Sequence, residues 1–278
     1  MAGAERTALV TGASSGIGEA CALRLSRAGW HVFAGVRRQE DADRLAAEGV
    51  EPVLLDVTDG DSIAAAAERL GERGLAGLVN NAGIAVAAPL EFLPVDELRR
   101  QLEVNLIGQV AVTRAFLPHL RRARGRIVNV GSIAGRSALP FLGAYAASKH
   151  ALEAVTDALR VELCPFGIEV AIVEPGTIAT PIWRKGAEAF QRIAAEVPEA
   201  VTDLYGARLA AFREAAAAAG RRGESPDEVA KVVEHALTAR RPKTRYVVGR
   251  DARRRSRVER LPDRLRDRVY ERWLFRGG

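Results

Sequence analysis

Apolar and polar positions divide the chain into blocks that predict strands and helices in turn. Apolar runs lie at about 7–11, 31–36, 52–55, 76–79, 126–131, 168–174 and 245–249. The segments between them carry apolar residues at the three- and four-residue spacing of amphipathic helices. Continuously apolar strands that alternate with helices indicate a parallel sheet covered on both faces. With 278 residues, the pattern predicts a single α/β domain built on a doubly wound sheet.

A glycine-rich turn follows the first predicted strand. Gly12, Gly16 and Gly18 stand in segment 11–18, directly before an amphipathic helix. Glycines let the backbone approach a ligand closely, and the unpaired N–H groups and dipole of a helix N-terminus favour an anion. A tight turn alone could require these glycines, but strand, turn and helix in this order are the context of a dinucleotide fingerprint. We therefore expect the turn to hold the phosphates of a dinucleotide.

Tyr145 and Lys149 are a second candidate for chemistry. Because they stand four residues apart, they lie on the same face of a predicted helix. A positive charge beside a phenol favours the phenolate, so we expect Lys149 to lower the pKa of Tyr145 from its ordinary value of about 10. Such a tyrosine is a usable acid or base near neutral pH. Since this spacing is also common on helix surfaces, the pair gains meaning only together with the glycine-rich turn.

Taken together, the two motifs resemble those of the short-chain dehydrogenase/reductase family in its ordinary form. Further landmarks of that family follow in order up to about residue 181. They are Asp56-Val57, Asn80-Asn81-Ala82-Gly83, Asn105, Ser132, Pro175-Gly176 and Thr180. The resemblance implies a Rossmann-like fold, a nicotinamide dinucleotide cofactor and an enzyme that interconverts alcohols and carbonyl compounds.

The resemblance also implies a role for each matching residue. Tyr145 would be the acid or base, Ser132 would stabilise charge on the substrate oxygen, and Lys149 would hold the nicotinamide ribose. Asn105 would belong to a water-linked proton path ending at Lys149, or would stabilise an interrupted helix, or both. Beside Tyr145 and Lys149, the implied cofactor-binding residues are Gly12, Ser14, Ser15, Gly16, Ile17, Gly18, Asp56, Val57, Asn81, Ala82, Gly83, Pro175, Gly176, Ile178 and Thr180.

The choice between NAD(H) and NADP(H) depends on the end of the second predicted strand. A carboxylate there accepts hydrogen bonds from the ribose 2′-OH of NAD, but this chain has Val36 followed by Arg37 and Arg38. Arginine is well suited to phosphate because its guanidinium presents a fork of donors. We therefore predict NADP(H), with Arg37 on the 2′-phosphate and Arg38 in support. The alternative is that both arginines are simply solvated.

Residues 182–225 are expected to form a lid over the substrate, because this region supplies the substrate pocket in the family. At helical spacing, its apolar residues could equally be packing. The residues predicted to line the substrate site around the catalytic pair are Ser132, Leu139, Phe141, Leu142 and Tyr145. Neither stretch offers a charged group placed for an anionic substrate. We therefore predict an apolar ketone or secondary alcohol of steroid, retinoid or long-chain type.

Two other functions fit the same motifs. One is a 3-oxoacyl-thioester reductase of the same family, although such enzymes usually end near the last strand. The other is a non-catalytic protein that senses a dinucleotide, which loss of the tyrosine or lysine would have favoured; both are present. The family resemblance further implies a homodimer or homotetramer formed through the helices at about 95–122 and 150–165.

The C-terminal segment is strongly basic, and residues 251–278 are predicted to form one amphipathic helix beyond a catalytic domain of residues 1–250. Between 240 and 276, fourteen arginines and one lysine stand against five acids, a net charge of +10 compared with +6 for the whole chain. Apolar residues recur at steps of three or four from Val258 to Trp273. Such a helix could lie on an anionic membrane, or pack against its own domain or a second subunit. Because no nucleic-acid-binding motif accompanies the charge, we expect no nucleic-acid partner.

The remaining features bear on location. No apolar run approaches the roughly 20 residues needed to span a bilayer, and residues 1–6 lack the apolar core of a signal peptide. Cys21 and Cys164 lie in predicted helices without motif spacing, which predicts buried, reduced thiols. We therefore expect a cytoplasmic protein without a metal site, in possible peripheral contact with a membrane.

Overall fold

The computed structural model describes residues 6–195 and 200–275, and one parallel sheet organises them. Its strands are β1 (Thr7–Val10), β2 (His31–Val36), β3 (Glu51–Leu54), β4 (Gly77–Asn80), β5 (Arg126–Val130), β6 (Glu169–Pro175) and β7 (Arg245–Val248). They lie in the order β3-β2-β1-β4-β5-β6-β7, and all adjacent pairs run parallel. Each strand begins and ends within one residue of its predicted boundary. The predicted Rossmann-like sheet is therefore confirmed.

Helices connect the strands and cover both faces of the sheet. They are α1 (Gly16–Arg27), α2 (Gln39–Ala47), α3 (Gly60–Leu70), α4 (Val95–Leu102), α5 (Gly108–Ala123), α6 (Gly143–Glu162), α7 (Ile182–Ala195), α8 (Ala200–Arg222), α9 (Pro226–Thr238), α10 (Arg250–Val258) and α11 (Asp263–Phe275).

Alternate residues of the strands feed two apolar cores on opposite faces. Ala8 and Val10 pack in the core that includes α1, α2 and α9, whereas Leu9 and Phe33 pack in the core that includes α3 and α5. Side chains of a strand point alternately to the two faces, and both faces are covered here. This explains why the strands are continuously apolar in the sequence. Burying one such large side chain contributes roughly 1.5–3 kcal/mol, which makes this sheet a rigid support for the loops at its ends.

The predicted site motifs lie at the carboxyl ends of the strands, at the point where the strand order reverses. From β1 the chain moves outward to β2 and β3, and then returns to β4 on the other side of β1. The loops after β1 and β4 therefore diverge and leave a crevice at the carboxyl ends of the strands, where doubly wound sheets bind ligands. The glycine-rich turn follows β1, Asn81 follows β4, Ser132 follows β5, and Pro175 ends β6.

The long helix expected at about 95–122 is interrupted. Helix α4 passes into a π-helical segment, Glu103–Ile107, and α5 continues from there. An extra residue in the turn displaces the hydrogen-bond ladder, and such segments are frequent at functional sites. Asn105 lies at the centre of this interruption and is fully buried.

The C-terminal segment is two helices rather than the single helix predicted for 251–278. Helix α10 ends at Val258, and α11 begins at Asp263, directly after Pro262. Proline lacks the N–H that would continue a helix and restricts the residue before it, so it breaks the predicted apolar stripe. Tyr270 of α11 is 4% exposed, whereas Trp273 is 38% exposed. The residues that dock α11 are thus not those of the predicted stripe.

The structure describes the predicted lid only in part and corrects the prediction for one of the two cysteines. The predicted lid is helical in α7 and α8, but residues 196–199, which include Val197, lie outside the described residues. Both cysteines are free, and Cys21 is buried as predicted; Cys164, however, is exposed because it lies in a short 3₁₀ turn after α6. None of the described helices is both long and apolar enough to cross a membrane.

Candidate active site

The glycine-rich turn is a backbone structure that side chains would obstruct. Gly12 and Gly16 have φ values of 65° and 62°, in the left-handed region that glycine adopts without strain. A Cβ on Gly18 would lie 2.3 Å from the carbonyl oxygen of Gly12 and 2.4 Å from Nδ2 of Asn81. The turn therefore closes tightly on the start of α1 and leaves backbone N–H groups free to face an anion.

Asn81 and Thr11 fix the turn against the loop after β4. The Asn81 amide Nδ2 donates to the carbonyl oxygens of Thr11 at 2.9 Å and Gly12 at 3.2 Å. In return, the Thr11 hydroxyl accepts from the backbone N–H groups of Asn81 at 2.9 Å and Ala82 at 3.0 Å. The two loops that border the crevice are thus held in one arrangement before any ligand enters.

A cavity of about 470 Å³ runs through the crevice and joins most of the predicted site. This volume is in the range of small-molecule and cofactor sites. The predicted residues that line it are Gly12, Ser14, Ser15, Gly16, Ile17, Arg37, Asp56, Val57, Asn81, Ala82, Gly83, Ser132, Leu142, Tyr145, Lys149, Pro175, Gly176, Ile178 and Thr180. The predicted residues that the structure places outside the lining are Gly18, Arg38, Leu139, Phe141 and Asn105.

The two arginines after β2 have different environments. Arg37 lines the cavity, and its charge acts on Asp56. Arg38 points to α2, where its guanidinium pairs with Glu40 at 2.7 Å and Asp41 at 3.0 Å. Arg37 is therefore available to a ligand, whereas Arg38 already has acidic partners.

Asp56 is held as a carboxylate at the same end of the cavity. Partial burial favours its protonated form, but two hydrogen bonds from Thr58 and the charge of Arg37 outweigh burial and lower the pKa of Asp56. The Thr58 backbone N–H donates at 2.9 Å and its hydroxyl at 2.7 Å. The carboxylate is thus fixed in position beside Arg37.

At the other end of the cavity, α6 carries both Tyr145 and Lys149, as the sequence predicts. The ammonium Nζ lies 6.0 Å from the centroid of the tyrosine ring and donates a 2.8 Å hydrogen bond to the carbonyl oxygen of Val130. Ser132 faces the phenol from the loop after β5, within hydrogen-bonding reach of it. Its own oxygen accepts from the N–H of Ala134 at 3.1 Å, which fixes the hydroxyl in place. A phenol, a hydroxyl and an ammonium thus share one cavity.

The pKa of Tyr145 is raised, contrary to the expectation that Lys149 lowers it. Burial is the largest cause because it disfavours the phenolate, while the hydrogen bond to Ser132 and the charge of Arg255 favour it. Lys149 is itself buried, and desolvation lowers its pKa to about 8, against the opposing charge of Glu153. A lysine with this pKa carries less positive charge near neutral pH, and its hydrogen bond goes to Val130 rather than to the phenol.

Asn105 supports the helix interruption. Its side chain accepts from the N–H of Ile84 at 2.8 Å and donates to the carbonyl of the same residue at 3.0 Å. It also donates to Ser148 at 3.1 Å. These contacts tie the π segment to α6 and to the loop after β4, so a structural role is present; the proton path to Lys149 stays a prediction.

The loop between Ser132 and α6 reaches the cavity through Leu142. Phe141 instead has a φ of 66°, and its ring packs edge-on against Phe212 and Phe275, with centroid distances of 5.5 Å and 6.2 Å. A positive φ is strained for an aromatic residue and persists only where the surroundings fix it. This aromatic cluster joins the loop to α8 and α11, and its rings do not line the cavity.

The sequence reasoning missed Arg255, which α10 brings into the cavity lining. It also missed Asp251, whose carboxylate accepts from the N–H of Thr177 at 2.7 Å and thereby fixes the loop after β6. Both residues lie in the basic tail, which the charge pattern marked as a surface feature. The pattern of 251, 255 and 259 on one helix face was a usable signal, but only the fold shows which surface that face meets.

The residues present fit a dinucleotide cofactor. The glycine turn, which a Cβ at Gly18 would fill, suits the pyrophosphate, while Arg37 and Asp56 lie at the end suited to the adenosine. Lys149 and Thr180 would hold the nicotinamide end. Among the described residues, no group of three or more His, Cys, Asp or Glu side chains is arranged to hold a metal ion.

The sequence of this chain matches those of three known proteins, among others, over most of its length. Retinol dehydrogenase 5 of Mus musculus is 40% identical, and the match covers 88% of this chain and 80% of the relative. 17-beta-hydroxysteroid dehydrogenase type 6 of Bos taurus is also 40% identical, over 89% of this chain and 82% of the relative. The NADPH-dependent 3-dehydrocapnine reductase of Ornithobacterium rhinotracheale is 36% identical, over 95% and 96% respectively.

The structural and family comparisons agree with these relatives. A solved structure of a short chain dehydrogenase from Burkholderia cenocepacia, in complex with NADP, has a TM-score of 0.74 and 29% identity, with 97% of each chain covered. The short chain dehydrogenase family model matches residues 6–190, which include the glycine turn and all four predicted catalytic residues. This chain belongs to the short-chain dehydrogenase family and is an oxidoreductase that acts on CH–OH groups.

Proposed function

We propose that the protein is an NADP(H)-dependent enzyme that interconverts an apolar ketone and its secondary alcohol, of retinoid, steroid or long-chain type. The observation that carries the proposal is that Ser132, Tyr145 and Lys149 line the same cavity as the glycine-rich turn. When bound, the nicotinamide supplies or accepts a hydride. The chain has to bind the carbonyl compound and move the matching proton.

The proton step belongs to Tyr145. In reduction, its hydroxyl donates a proton to the oxygen of the carbonyl, and in oxidation its phenolate removes the proton of the alcohol. Ser132 donates a hydrogen bond to the same substrate oxygen and stabilises the charge that develops there. Lys149 is positioned to hold the ribose, and its pKa of about 8 suits it to exchange protons near neutral pH. These roles leave Arg255, a partly buried cation of the cavity lining, without a part in the chemistry.

The environment of Arg37 supports the preference for NADP(H). Its guanidinium lines the cavity and is exposed, so a phosphate would gain charge-assisted hydrogen bonds there. One relative is named as NADPH-dependent and one similar structure contains NADP. Arg38 would act in support only after releasing Glu40 or Asp41.

Apolar side chains around the catalytic pair support the substrate class. Those that line the cavity are Ile84, Val104, Ile133, Leu142, Ile182 and Trp183. The Trp183 indole donates to the carbonyl of Ile178 at 2.8 Å, which leaves its ring as a fixed apolar wall. Two relatives carry the names of retinol and steroid dehydrogenases, whose substrates are large and apolar.

Assembly and location are further parts of the proposal. Exposed apolar residues lie near the helices expected to associate, with Ile107 50%, Val161 72% and Phe166 47% exposed, which supports a homodimer or homotetramer. The docking of Tyr270 supports a packed tail. The outer face of α11, with Trp273 among arginines, remains available for an anionic membrane. We retain a cytoplasmic location, with peripheral membrane contact, as the working hypothesis.

The Tyr145→Phe variant tests the function. It removes the proton donor without changing the ring, so we expect turnover of ketones to fall by roughly 10²- to 10⁴-fold. NADPH affinity, followed by fluorescence titration, should stay within a factor of about three, since a hydroxyl outside the phosphate cradle is removed. Tyr246→Phe in β7, outside the cavity lining, is the matched control and should retain turnover. Full activity in Tyr145→Phe would refute the assignment.

A further inference from the structure

Arg255 is a partly buried charged group of the cavity to which the proposed chemistry gives no function. It lies in α10 and lines the cavity beside the catalytic residues. Its charge reaches the phenol, since it favours the phenolate of Tyr145. Arg255 and Tyr145 line the same cavity, so the guanidinium shares the space in which a substrate would meet the phenol.

Hydrogen bonds fix the guanidinium in one position. Nη2 donates to the carbonyl oxygen of Ser137 at 3.0 Å and to its hydroxyl at 3.0 Å, and Nε donates to the same hydroxyl at 3.2 Å. Ser137 is fully buried, and its hydroxyl is hydrogen-bonded to that of Tyr270 at 2.7 Å. The arginine is thus preorganised by neutral groups, the side chain and carbonyl of Ser137 and the hydroxyl of Tyr270.

The two acids nearest to it on α10 are bound elsewhere. Asp251 and Glu259 stand four residues before and after Arg255, on the same helix face. The Asp251 carboxylate accepts from the Thr177 N–H, and Glu259 accepts from the hydroxyl of Tyr270 and pairs with Arg266 at 3.5 Å. Within the part of the chain that the structure describes, no ion pair reaches Arg255. Asp251 and Glu259 thus act on this cation only from a distance, whereas partly buried charges are stabilised by a directly paired counter-ion.

Partial burial distinguishes Arg255 from the exposed cations of the cavity, and the buried Lys149 already has a role in the proposed chemistry. Arg100, Lys185 and Arg192 also contribute to the lining, but their side chains are exposed, where water and salt satisfy them. For Arg255, burial lowers the pKa, and the hydroxyl of Tyr270 and the charges of Asp251 and Glu259 only partly oppose this. The cost of holding this charge in the cavity is removed when an anion binds there.

We propose that Arg255 binds the carboxylate of an amphiphilic substrate, so that the enzyme acts on a long-chain oxo acid or hydroxy acid whose reacting carbon lies beside Tyr145. This inference rests on the proposed function, since it names the substrate class of the same site. The apolar wall takes the hydrocarbon chain, and the planar carboxylate meets the fork of the guanidinium. An anionic substrate could not be predicted from the lid region, because the cation comes from the C-terminal tail.

The test compares long-chain oxo acids with their methyl esters. In each pair the chain and ketone are identical, and the ketone is moved along the series to find the preferred distance from the carboxylate. With the wild-type protein, NADPH and each pair, we expect kcat/KM to favour the acid by roughly 10- to 100-fold, as for a charge-assisted hydrogen bond. In Arg255→Met this preference should disappear, because kcat/KM falls far more for the acid than for the ester. Arg255→Lys should keep part of it.

Arg253→Met is the matched control, because Arg253 lies on the same helix but is exposed and outside the cavity lining. It should behave as the wild type. Equal turnover of acid and ester by the wild type would overturn the proposal, as would an equal loss on both substrates in a folded Arg255→Met protein. Turnover of esters without a preference for acids would leave the proposed function intact. Failure to turn over either class, despite NADPH binding, would refute the proposed function as well.

Discussion

The two ends of the cavity are built in different ways. The cofactor end is built mainly from backbone, namely the glycine turn after β1 and the loops after β4 and β6, each of which follows its strand directly; the side chains of Arg37 and Asp56 complete it. The substrate end consists of side chains that converge from distant parts of the chain, with Ser137 and Arg255 hydrogen-bonded across 118 residues. A backbone site has to be encoded locally, by glycines and strand ends. A side-chain site depends on how helices pack, so the two ends should respond differently to substitution.

The largest effect is expected where the backbone itself is altered. In Gly18→Ala, the new methyl group would collide with the carbonyl of Gly12 and the amide of Asn81. Overpacking of this kind costs roughly 1–3 kcal/mol, and displacement of the turn should weaken NADPH binding at least about tenfold. Thermal unfolding and a fluorescence titration of NADPH measure the two effects.

Gly60→Ala is the control for this variant. Gly60 begins α3, and a Cβ there would meet no atom within 4 Å. We expect unchanged NADPH binding and equal or slightly higher stability, because alanine restricts the unfolded chain. If Gly18→Ala also bound NADPH like the wild type, the close approach of the turn would have no bearing on the cofactor.

A smaller and more selective effect is expected at Arg37. Arg37→Gln removes the charge that would meet the 2′-phosphate, so kcat/KM with NADPH should fall by roughly 10- to 100-fold while that with NADH changes little. Arg38→Gln should alter the ratio far less, because Arg38 is already paired with Glu40 and Asp41. Steady-state kinetics with both cofactors gives the ratio. Equal losses with NADPH and NADH would argue against a 2′-phosphate contact.

The smallest effect concerns the pH dependence of the substrate end. The charge of Arg255 favours the phenolate of Tyr145, so Arg255→Met should raise the pKa of Tyr145 further. Alcohol oxidation needs the phenolate, and its rate increases as pH rises through that pKa. The rising limb should therefore move to higher pH in Arg255→Met but not in Arg253→Met, with an uncharged alcohol as substrate. If the rising limb stayed at the same pH in Arg255→Met, the charge of Arg255 would have no effect on the pKa of Tyr145.

The fold follows from the sequence because both faces of the sheet are buried. A strand covered on both sides has to be apolar throughout, so the ends of an apolar run predict the ends of the strand. The run at 126–131, for example, corresponds to the observed strand Arg126–Val130. Helical spacing also predicts correctly that Tyr145 and Lys149 share one face of α6, but their candidate role in catalysis came only with the glycine-rich turn and the family resemblance. The break at Pro262 could have been predicted from the proline, but the regular apolar spacing concealed it.

What could not be predicted depends on tertiary packing. Burial reverses the expected pKa shift of Tyr145, and nothing local to residues 145–149 indicates how deeply they lie. Phe141 and Leu142 are adjacent, yet the backbone at Phe141 sends one toward an aromatic cluster and the other to the cavity. Arg255 is one of many arginines in a basic tail, and only the docking of α10 distinguishes it from its neighbours.

The most direct measurement follows the fluorescence of NADPH, with NADH in parallel, during reduction of a panel of ketones graded by apolar size. We expect turnover that increases with the size of the ketone and prefers NADPH, because Arg37 and the apolar wall act at opposite ends of one cavity. Tight binding of NADPH with no turnover of any ketone, aldehyde or thioester would contradict this expectation and would favour a protein that only senses the dinucleotide.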